Sequence, residues 1–370
     1  MKRTIVRNLL AWFAKNGRDL PWRRTRDPYG IWVSEIMLQQ TQVKTVLRYW
    51  DRWMEALPTI EALANAPQQT IHKLWEGLGY YTRVRNMQRC AWAIQEKHGG
   101  KFPRKFEEVL ELPGIGRYTA GAICSIVFNQ PTAILDGNVT RVLCRLFGVG
   151  GDPRQKETNA WLWKLAEELV NEAGNLRRNP DKKQSKIEEE EEKEDEVSYG
   201  ELNQSLMELG ALVCTPRQPL CQECPVIRHC VGNRQGLVEQ LPVRVARPTI
   251  TRRRFLAFVI EKRGKYLVRQ RPAGVVNAHL WEFPNIEVNG MKVSASRAAR
   301  KLLGGTQSKP RRLCRINHSI TRYRISMDVF RTSQHSNAGG KVNGRWLKAG
   351  ELSRLPFSSA HKKIIQQFDL

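Results

Sequence analysis

The chain has 370 residues and a net charge of +25, with 61 Lys and Arg against 36 Asp and Glu. This length allows two or three domains, and the positive charge predicts a polyanionic partner, most simply a nucleic acid. No run of eighteen apolar residues occurs, which excludes a membrane-spanning protein, and the start of the chain does not resemble a signal peptide.

The first half of the chain is predicted to be helical. Up to about Ala173 the sequence indicates successive amphipathic helices, among them Ala160–Val170 and a long helix over Glu35–Trp53. The apolar face of that long helix is formed by Ile36, Val43, Leu47 and Trp50. The segment Asn175–Tyr199 is charged, low in complexity and without apolar periodicity, so we expect a disordered surface loop there. A helical pattern resumes over Leu202–Val213.

The last third of the chain has a different character. The stretch 233–250 has no helical face and is predicted to be a linker. From Arg254 onward, short β-like runs surround one predicted helix, Ala295–Leu303, which indicates an α+β domain over residues 251–370. Residues 241–370 contain 27 Lys and Arg against 6 Asp and Glu, a net charge of +21, so most of the excess charge lies in this part. The helical domain is expected over residues 1–232.

Four of the eight cysteines fall within seventeen residues, with the spacing C-x6-C-x2-C-x5-C; they are Cys214, Cys221, Cys224 and Cys230. Four thiolates this close in sequence can hold one metal centre, either zinc or an iron–sulfur cluster. A reduced compartment argues against disulfides. Four-cysteine zinc sites usually have two C-x(2–4)-C pairs, whereas this pattern has one, so the spacing favours the iron–sulfur cluster.

A glycine pair and an acidic residue suggest a site for nucleic-acid chemistry. The stretch LPGIGRYTA (residues 112–120) places Gly114 and Gly116 before a helix, where backbone N–H groups can approach a phosphate. Asp136 follows an apolar run in ILDGNVTRV. It is either a functional acid or the N-cap of the next helix.

Together, these motifs resemble the helix–hairpin–helix DNA glycosylases of the endonuclease III superfamily. The segments DLPWRRTRDPYGIWVSEIMLQQTQV and LWEFP further resemble the adenine DNA glycosylases of the MutY type. The resemblance covers nearly the whole chain outside the acidic loop. It implies an all-α glycosylase core with a [4Fe–4S] cluster on the four cysteines, followed by a C-terminal α+β Nudix-like domain. It also implies removal of adenine paired with 8-oxoguanine.

Two acids fit this chemistry independently. Cleavage of an N-glycosidic bond resembles glycoside hydrolysis, in which one carboxyl group protonates the leaving group and a second stabilises the cationic sugar. Glu35 lies in the apolar run IWVSEIML, and burial there would raise its pKa and keep it protonated. By resemblance, Glu35 is the catalytic acid and Asp136 the second carboxylate.

The residue after the hairpin arginine indicates the type of glycosylase. Members of the superfamily that also cut the DNA backbone have a lysine there, which forms a Schiff base with the sugar. This chain has Tyr118, which favours hydrolysis by water without strand cleavage.

Further roles are implied by resemblance alone. An adenine that is flipped out of the duplex leaves a gap, and Gln40 and Tyr80 match the residues that fill it. The positions that line the adenine pocket in the family match Trp22, Arg23 and Gln204 here. The position that supports the second carboxylate, Asp136, matches Asn138. Trp22 and Tyr80 are alternatively core aromatics, and Gln204 a surface amide.

The C-terminal domain is expected to recognise 8-oxoguanine. Nudix hydrolysis needs the acids of an R-E-x-x-E-E-x-G helix, but Ser296–Gly304 reads SRAARKLLG and lacks them. The family commonly has Phe-Ser/Thr-His in the recognition turn, whereas here His318 is followed by Ser319, Ile320, Thr321 and Arg322. We expect His318, Thr321 and Arg322 to contact the DNA.

The sequence therefore predicts a monomeric, cytoplasmic enzyme of bacterial type, associated with the nucleoid through double-stranded DNA and without a membrane partner. Two other functions stay open. One is a lyase-type glycosylase for oxidised pyrimidines, against which Tyr118 and the C-terminal domain argue. The other is a catalytically silent iron–sulfur protein that binds damaged DNA, against which the presence of both acids argues.

Overall fold

A computed structural model describes residues 1–177, 198–243, 249–289, 293–303, 308–320, 322–333 and 343–368. The chain divides into two compact units. The first comprises Met1–Ala64 and Asn86–Ala246, and the second comprises Asn65–Arg85 and Arg247–Leu370. The C-terminal unit therefore includes a segment from the helical half of the sequence, which the pattern of residues did not predict. None of the described helices combines the length and apolar character that a bilayer-spanning segment needs.

The first half of the chain is helical as predicted. Its helices are α1 Lys2–Asn16, α2 Pro28–Leu38, α3 Val43–Ala56, α4 Ile60–Asn65, α5 Gln68–Leu74, α6 Thr82–His98, α7 Phe106–Leu110, α8 Arg117–Phe128, α9 Gly137–Phe147, α10 Lys156–Arg177, α11 Tyr199–Leu212 and α12 Val231–Arg234. Short 3₁₀ turns cover Pro21–Arg23, Cys221–Glu223 and Ile227–His229.

The single helix predicted over Glu35–Trp53 is wrong. The chain leaves α2 after Leu38, and Gln40 takes a left-handed backbone conformation with φ 56° before α3 begins at Val43. Ile36, Val43, Leu47 and Trp50 keep a helical spacing in the sequence across this break, so the pattern did not reveal it. The predicted loop Asn175–Tyr199 also begins too early, since α10 continues to Arg177 and α11 begins at Tyr199. Residues 178–197 lie outside the described part of the chain.

One core cluster of the first unit is built from α1 and α8–α11. Apolar faces of these helices meet there, represented by Leu9, Ala122, Leu143, Leu169 and Leu206. Part of the predicted linker belongs to this unit as well. Leu241 is 4% exposed within that cluster, and its carbonyl oxygen accepts a hydrogen bond of 2.9 Å from Arg145 Nε.

The second unit contains a mixed sheet, as the β-like runs predicted. Its strands are β1 Thr251–Lys262, β2 Lys265–Gln270, β3 Trp281–Glu282, β4 Asn285–Glu287, β5 Arg311–Ile320, β6 Tyr323–Ser333 and β7 Arg345–Lys348. The order is β3-β2-β1-β6-β5, with β4 paired to β1 and β7 paired to β2. Strands β1 and β6 run parallel, and the other pairs are antiparallel.

Helices cover both faces of this sheet. Residues of β1 alternate between the two faces, as the twofold period of a strand requires. Ala257 and Val259 pack with α15 (Ser359–Gln367), whereas Leu256, Phe258 and Ile260 pack with α13 (Ala295–Leu303). A short helix, α14 (Ala349–Leu352), follows β7. The predicted helix Ala295–Leu303 and the α+β character of this part are confirmed.

Candidate active site

A cavity of about 570 Å³ in the first unit brings most of the predicted site residues together. Its lining comes from the 3₁₀ turn after α1, from α2 and the break that follows it, from the starts of α8 and α9, and from the middle and end of α11. The predicted residues in the lining are Trp22, Arg23, Glu35, Gln40, Gly116, Tyr118, Asp136, Asn138 and Gln204.

Glu35 is held inside this cavity by a helix that is buried on nearly all sides. Pro28 starts α2, and the Asp27 side chain caps it by accepting hydrogen bonds from the N–H groups of Tyr29 and Gly30. Glu35 itself is 5% exposed. The hydroxyl of Tyr118 donates a hydrogen bond of 2.6 Å to its Oε2 atom.

The surroundings of Glu35 raise its pKa to about 7. Burial is the main cause, because it disfavours the charged form. The hydrogen bond from Tyr118 lowers the pKa, the negative charge of Asp136 raises it, and the positive charge of Arg23 lowers it. Glu35 can therefore carry a proton near neutral pH, as a general acid must.

Asp136 caps α9, as one of the two alternatives predicted, and it also lines the cavity that contains Glu35. Its Oδ1 atom accepts a hydrogen bond of 2.7 Å from the N–H of Val139, and its Oδ2 atom accepts one of 3.1 Å from the Asn138 amide. Burial raises the pKa of Asp136, whereas these hydrogen bonds and the charge of Arg141 favour the ionised form. The arrangement suits a carboxylate that faces a developing positive charge.

Arg141 fixes the amide of Asn138. Its Nη2 atom donates hydrogen bonds to Asn138 Oδ1 at 2.8 Å and to the Gly210 carbonyl at 2.7 Å, and its Nε atom donates to the Cys214 carbonyl at 2.7 Å. The side chain thus connects the start of α9 with the end of α11. The sequence pattern did not indicate this role.

A second buried carboxylate, Glu208, was also missed. It is 1% exposed and lines the cavity. Its Oε1 and Oε2 atoms accept hydrogen bonds from Arg18 Nε at 2.7 Å and Arg18 Nη2 at 2.8 Å, and Arg23 Nη2 donates to Oε2 at 2.9 Å. Burial would raise the pKa of Glu208, but the hydrogen bonds from Arg18 and Arg23 bring it to about 2. The pKa values of two glutamates in one cavity are therefore shifted in opposite directions.

The hairpin between α7 and α8 has the backbone that its glycines predicted. Gly114 has φ 80°, and a Cβ atom there would lie 2.5 Å from Cβ of Asn86, so only glycine fits. Gly116 caps α8, and an added Cβ atom there would meet nothing within 4 Å, so open space lies beside the start of the helix. This geometry suits the approach of a phosphate to the start of a helix.

The four clustered cysteines lie beside Arg145, beyond the end of α11. Arg145 is buried; its Nη1 atom lies 3.4 Å from Cys214 Sγ, and its Nη2 atom is buried without a hydrogen-bond partner. Burial and the nearby thiols of the other three cysteines raise the pKa of Cys224 to about 11. Four interacting thiols next to an incompletely paired guanidinium form a donor set that fits an anionic, thiolate-bound cluster. Within the described residues, no three His, Cys, Asp or Glu side chains are placed to hold a single metal ion.

The remaining predicted residues belong to the second unit. Tyr80 is 47% exposed with φ 49°, so it is not a core aromatic. His318 near the end of β5 lines a cavity of about 630 Å³ together with Arg252 and Arg324, and burial lowers its pKa. Arg322 is exposed and donates a hydrogen bond of 3.2 Å to the Tyr323 hydroxyl. Thr321 lies outside the described residues.

Comparison with known proteins agrees with this fold. The HhH-GPD superfamily of base excision DNA repair proteins matches residues 33–168, and the NUDIX domain matches residues 256–367. The solved structure of a thermostable thymine-DNA glycosylase has a TM-score of 0.53 and 29% sequence identity, and covers 63% of this chain and 97% of its own. The fold and the cavity thus define a helix–hairpin–helix base-excision protein with a Nudix-like domain.

Relatives in sequence narrow the class. An adenine DNA glycosylase from Rattus norvegicus is 34% identical over 98% of this chain and 77% of its own length. Another, from Buchnera aphidicola subsp. Schizaphis graminum (strain Sg), is 29% identical over 97% of both chains. The chain belongs to the adenine DNA glycosylase family and is a DNA N-glycosylase of base excision repair.

Proposed function

We propose that this enzyme removes adenine mispaired with 8-oxoguanine or guanine from double-stranded DNA by hydrolysis of the N-glycosidic bond. The observation that carries the proposal is the pairing in one cavity of Glu35, whose pKa is about 7, with the hydrogen-bonded carboxylate of Asp136. Adenine leaves readily only after a ring nitrogen is protonated, and Glu35 supplies that proton. Asp136 then stabilises the cationic sugar.

Other residues of the cavity have defined parts in this mechanism. Tyr118 donates to the ionised form of Glu35 and so favours release of the proton to the base. Asn138, held by Arg141, donates to Asp136 and keeps its charge directed into the cavity. Trp22, Arg23 and Gln204 line the volume that receives a flipped adenine. Water is the attacking group, since position 118 carries no amine.

The four cysteines are proposed to hold a [4Fe–4S] cluster with a structural role. Cys214, Cys221, Cys224 and Cys230 would be its ligands, and Arg145 would offset its negative charge. Arg217 and Arg228 in the same segment would bring positive charge to DNA phosphates. A purified protein should be brown and absorb broadly in the visible, whereas stoichiometric zinc in a colourless protein would contradict the cluster.

The C-terminal domain is proposed to recognise the base opposite adenine. His318 lies near the end of β5 and lines the Arg-rich cavity, and Arg322 directly precedes β6. These two residues and Thr321 are proposed to contact the base or its backbone. The enzyme is proposed to act as a monomer in the cytoplasm, at the nucleoid. The lyase-type alternative lacks an amine at position 118, and the silent binding protein would have no need of a protonated Glu35.

Single-turnover base release tests the proposal. Duplexes with adenine opposite 8-oxoguanine, guanine or thymine are treated with wild-type protein, Glu35→Gln and Glu61→Gln, the last being an exposed glutamate as matched control. We expect the first two duplexes to lose adenine and Glu35→Gln to be slower by about 10²–10⁴-fold with duplex binding unchanged. If Glu35→Gln released adenine at the wild-type rate, Glu35 would not be the catalytic acid. If the wild-type protein released adenine from none of the duplexes, the proposed function would be wrong.

A further inference from the structure

The segment Asn65–Arg85 belongs to the C-terminal unit, and a buried carboxylate, that of Glu76, joins it to the last residues of the chain. Glu76 follows α5 and is 7% exposed. Its Oε1 atom accepts a hydrogen bond of 3.0 Å from the N–H of Phe357. Its Oε2 atom accepts one of 2.6 Å from Lys362 Nζ and one of 3.0 Å from Lys73 Nζ. A buried carboxylate with two cations and an N–H donor is held firmly, because separation would leave its charge without compensation.

Two further hydrogen bonds attach the same segment to the C-terminal residues. Lys73 Nζ donates to the Leu355 carbonyl at 3.2 Å, and Arg85 Nη1 donates to the Ala278 carbonyl at 3.3 Å. The attachments thus occur before and after the loop that carries Tyr80. This loop is fixed to the C-terminal domain at both ends.

The loop itself is braced around Tyr80. The indole N–H of Trp75 donates to the Gly79 carbonyl at 3.0 Å, and Arg83 Nη2 donates to the carbonyls of Leu78 and Gly79 at 3.2 Å each. The Arg83 guanidinium lies 5.1 Å from the ring centre of Trp75 and 5.7 Å from that of Tyr80. The backbone beside the exposed Tyr80 ring is therefore held by hydrogen bonds from Trp75 and Arg83, close to the attachment at Glu76.

We propose that Glu76 is a positioning residue that makes the Tyr80 loop and the C-terminal domain one rigid body, and thereby determines specificity for the base opposite adenine. The proposal rests on the proposed function, in which the C-terminal domain recognises 8-oxoguanine, and on the resemblance by which Tyr80 fills the gap that the flipped adenine leaves. Entry of a side chain into the base stack costs the free energy of separating stacked bases, and a mobile side chain must also lose conformational freedom. Because Glu76 fixes the loop to the C-terminal domain, Tyr80 is ordered in advance and moves with that domain. Tyr80 is then in position to enter the stack only when the C-terminal domain has bound its base.

The test compares base release and duplex distortion. Rates are measured on duplexes with adenine opposite 8-oxoguanine and opposite guanine, and 2-aminopurine beside the 8-oxoguanine reports unstacking by its fluorescence. For Glu76→Gln we expect the rate ratio between the two duplexes to fall by about 2- to 30-fold, with a smaller fluorescence rise. The matched control is Glu261→Gln, which removes a more exposed carboxylate paired with Arg331 in the same domain and should keep both readouts.

A double-mutant cycle separates positioning from general destabilisation. If Glu76 acts through Tyr80, Glu76→Gln should lower the ratio in the wild type but change nothing further in Tyr80→Ala. Lys362→Met, which removes a half-exposed partner of Glu76, should show a weaker form of the same effect and serves if Glu76→Gln does not fold. Additive losses, or an unchanged ratio in both variants, would overturn the inference. A wild type that releases adenine without any 8-oxoguanine preference would instead contradict the proposed function.

Discussion

The hydroxyl of Tyr118 lies 2.6 Å from Glu35 Oε2, and this contact opposes the burial that raises the pKa of Glu35. A hydroxyl donor favours the charged carboxylate, so it makes the acid stronger at the moment of proton transfer. Tyr118 therefore has two consequences: it tunes the acid, and it occupies the position at which lyase-type enzymes carry an amine. The two can be separated by substitution.

We expect Tyr118→Phe to move the alkaline limb of the pH–rate profile upward. In the wild type the rate of base release should fall as the pH rises through about 7, because Glu35 loses its proton. Without the hydrogen bond the pKa of Glu35 rises, so the protonated form persists to higher pH. Single-turnover rates between pH 5 and 9 measure this. Tyr199→Phe serves as control, and a limb that moves to lower pH would contradict the stated role of the hydroxyl.

Glu35 and Glu208 should respond to amide substitution with opposite changes in stability. The pKa of Glu35 is raised from 4.5 to about 7, so the folded state loses stability as the pH rises through this interval. Glu35→Gln should therefore increase the free energy of unfolding above pH 7 by up to about 3 kcal/mol, and this gain should disappear near pH 4. Denaturant unfolding over a pH series measures the difference.

The pKa of Glu208 is lowered from 4.5 to about 2, so its stabilisation is complete above 4.5 and is lost as the pH falls toward 2. Glu208→Gln breaks a buried ion pair and should lower the free energy of unfolding at pH 7 by about 3–5 kcal/mol. The deficit should shrink in acid. Equal effects of the two substitutions at pH 8 would show that the cavity does not shift the pKa values of its two glutamates in opposite directions.

The difference between these two glutamates also marks the limit of what the sequence could predict. Glu35 has apolar neighbours on both sides in the chain, so its burial follows from local pattern. Glu208 is ionised because Arg18 and Arg23 reach it from about 190 residues earlier in the chain, and no local pattern contains that contact. The same holds for Arg141, whose partners come from α11 and Cys214.

Local pattern also misled at one point of the site. The apolar spacing of Glu35–Trp53 continues through Gln40, which hides the break between α2 and α3. A non-glycine residue with φ 56° leaves no periodic signal, although it sets the direction of a cavity-lining side chain. Likewise, the attachment of residues 65–85 to the C-terminal unit depends on Glu76 and Lys362, which are 286 residues apart.

We expect no strand cleavage by the wild-type enzyme. The product should be an intact strand with an abasic site, and borohydride should trap no major adduct at residue 118, because the phenol of Tyr118 cannot form a Schiff base. Tyr118→Lys should introduce both an adduct and cleavage. Arg117→Lys is the matched control, since it adds an amine at an exposed neighbouring position. Rapid strand cleavage by the wild type without alkali or heat would show that an amine at another position forms the Schiff base.

Salt dependence should identify the basic surface that binds DNA in the C-terminal domain. Arg252 and Arg324 line the cavity of about 630 Å³ that also contains His318, within the part of the chain that carries most of the excess charge. If both arginines neutralise phosphates, Arg252→Gln with Arg324→Gln should flatten the slope of log K against log salt by about 2, because each phosphate contact contributes close to 0.9. Fluorescence anisotropy with a duplex that contains adenine opposite 8-oxoguanine measures this slope between roughly 50 and 300 mM salt.

The control is Arg263→Gln, which removes an exposed charge at the turn between β1 and β2 and should leave the slope within experimental error. If Arg263→Gln flattened the slope as much per charge as the cavity arginines, the affinity would come from the overall charge of the domain and not from this surface.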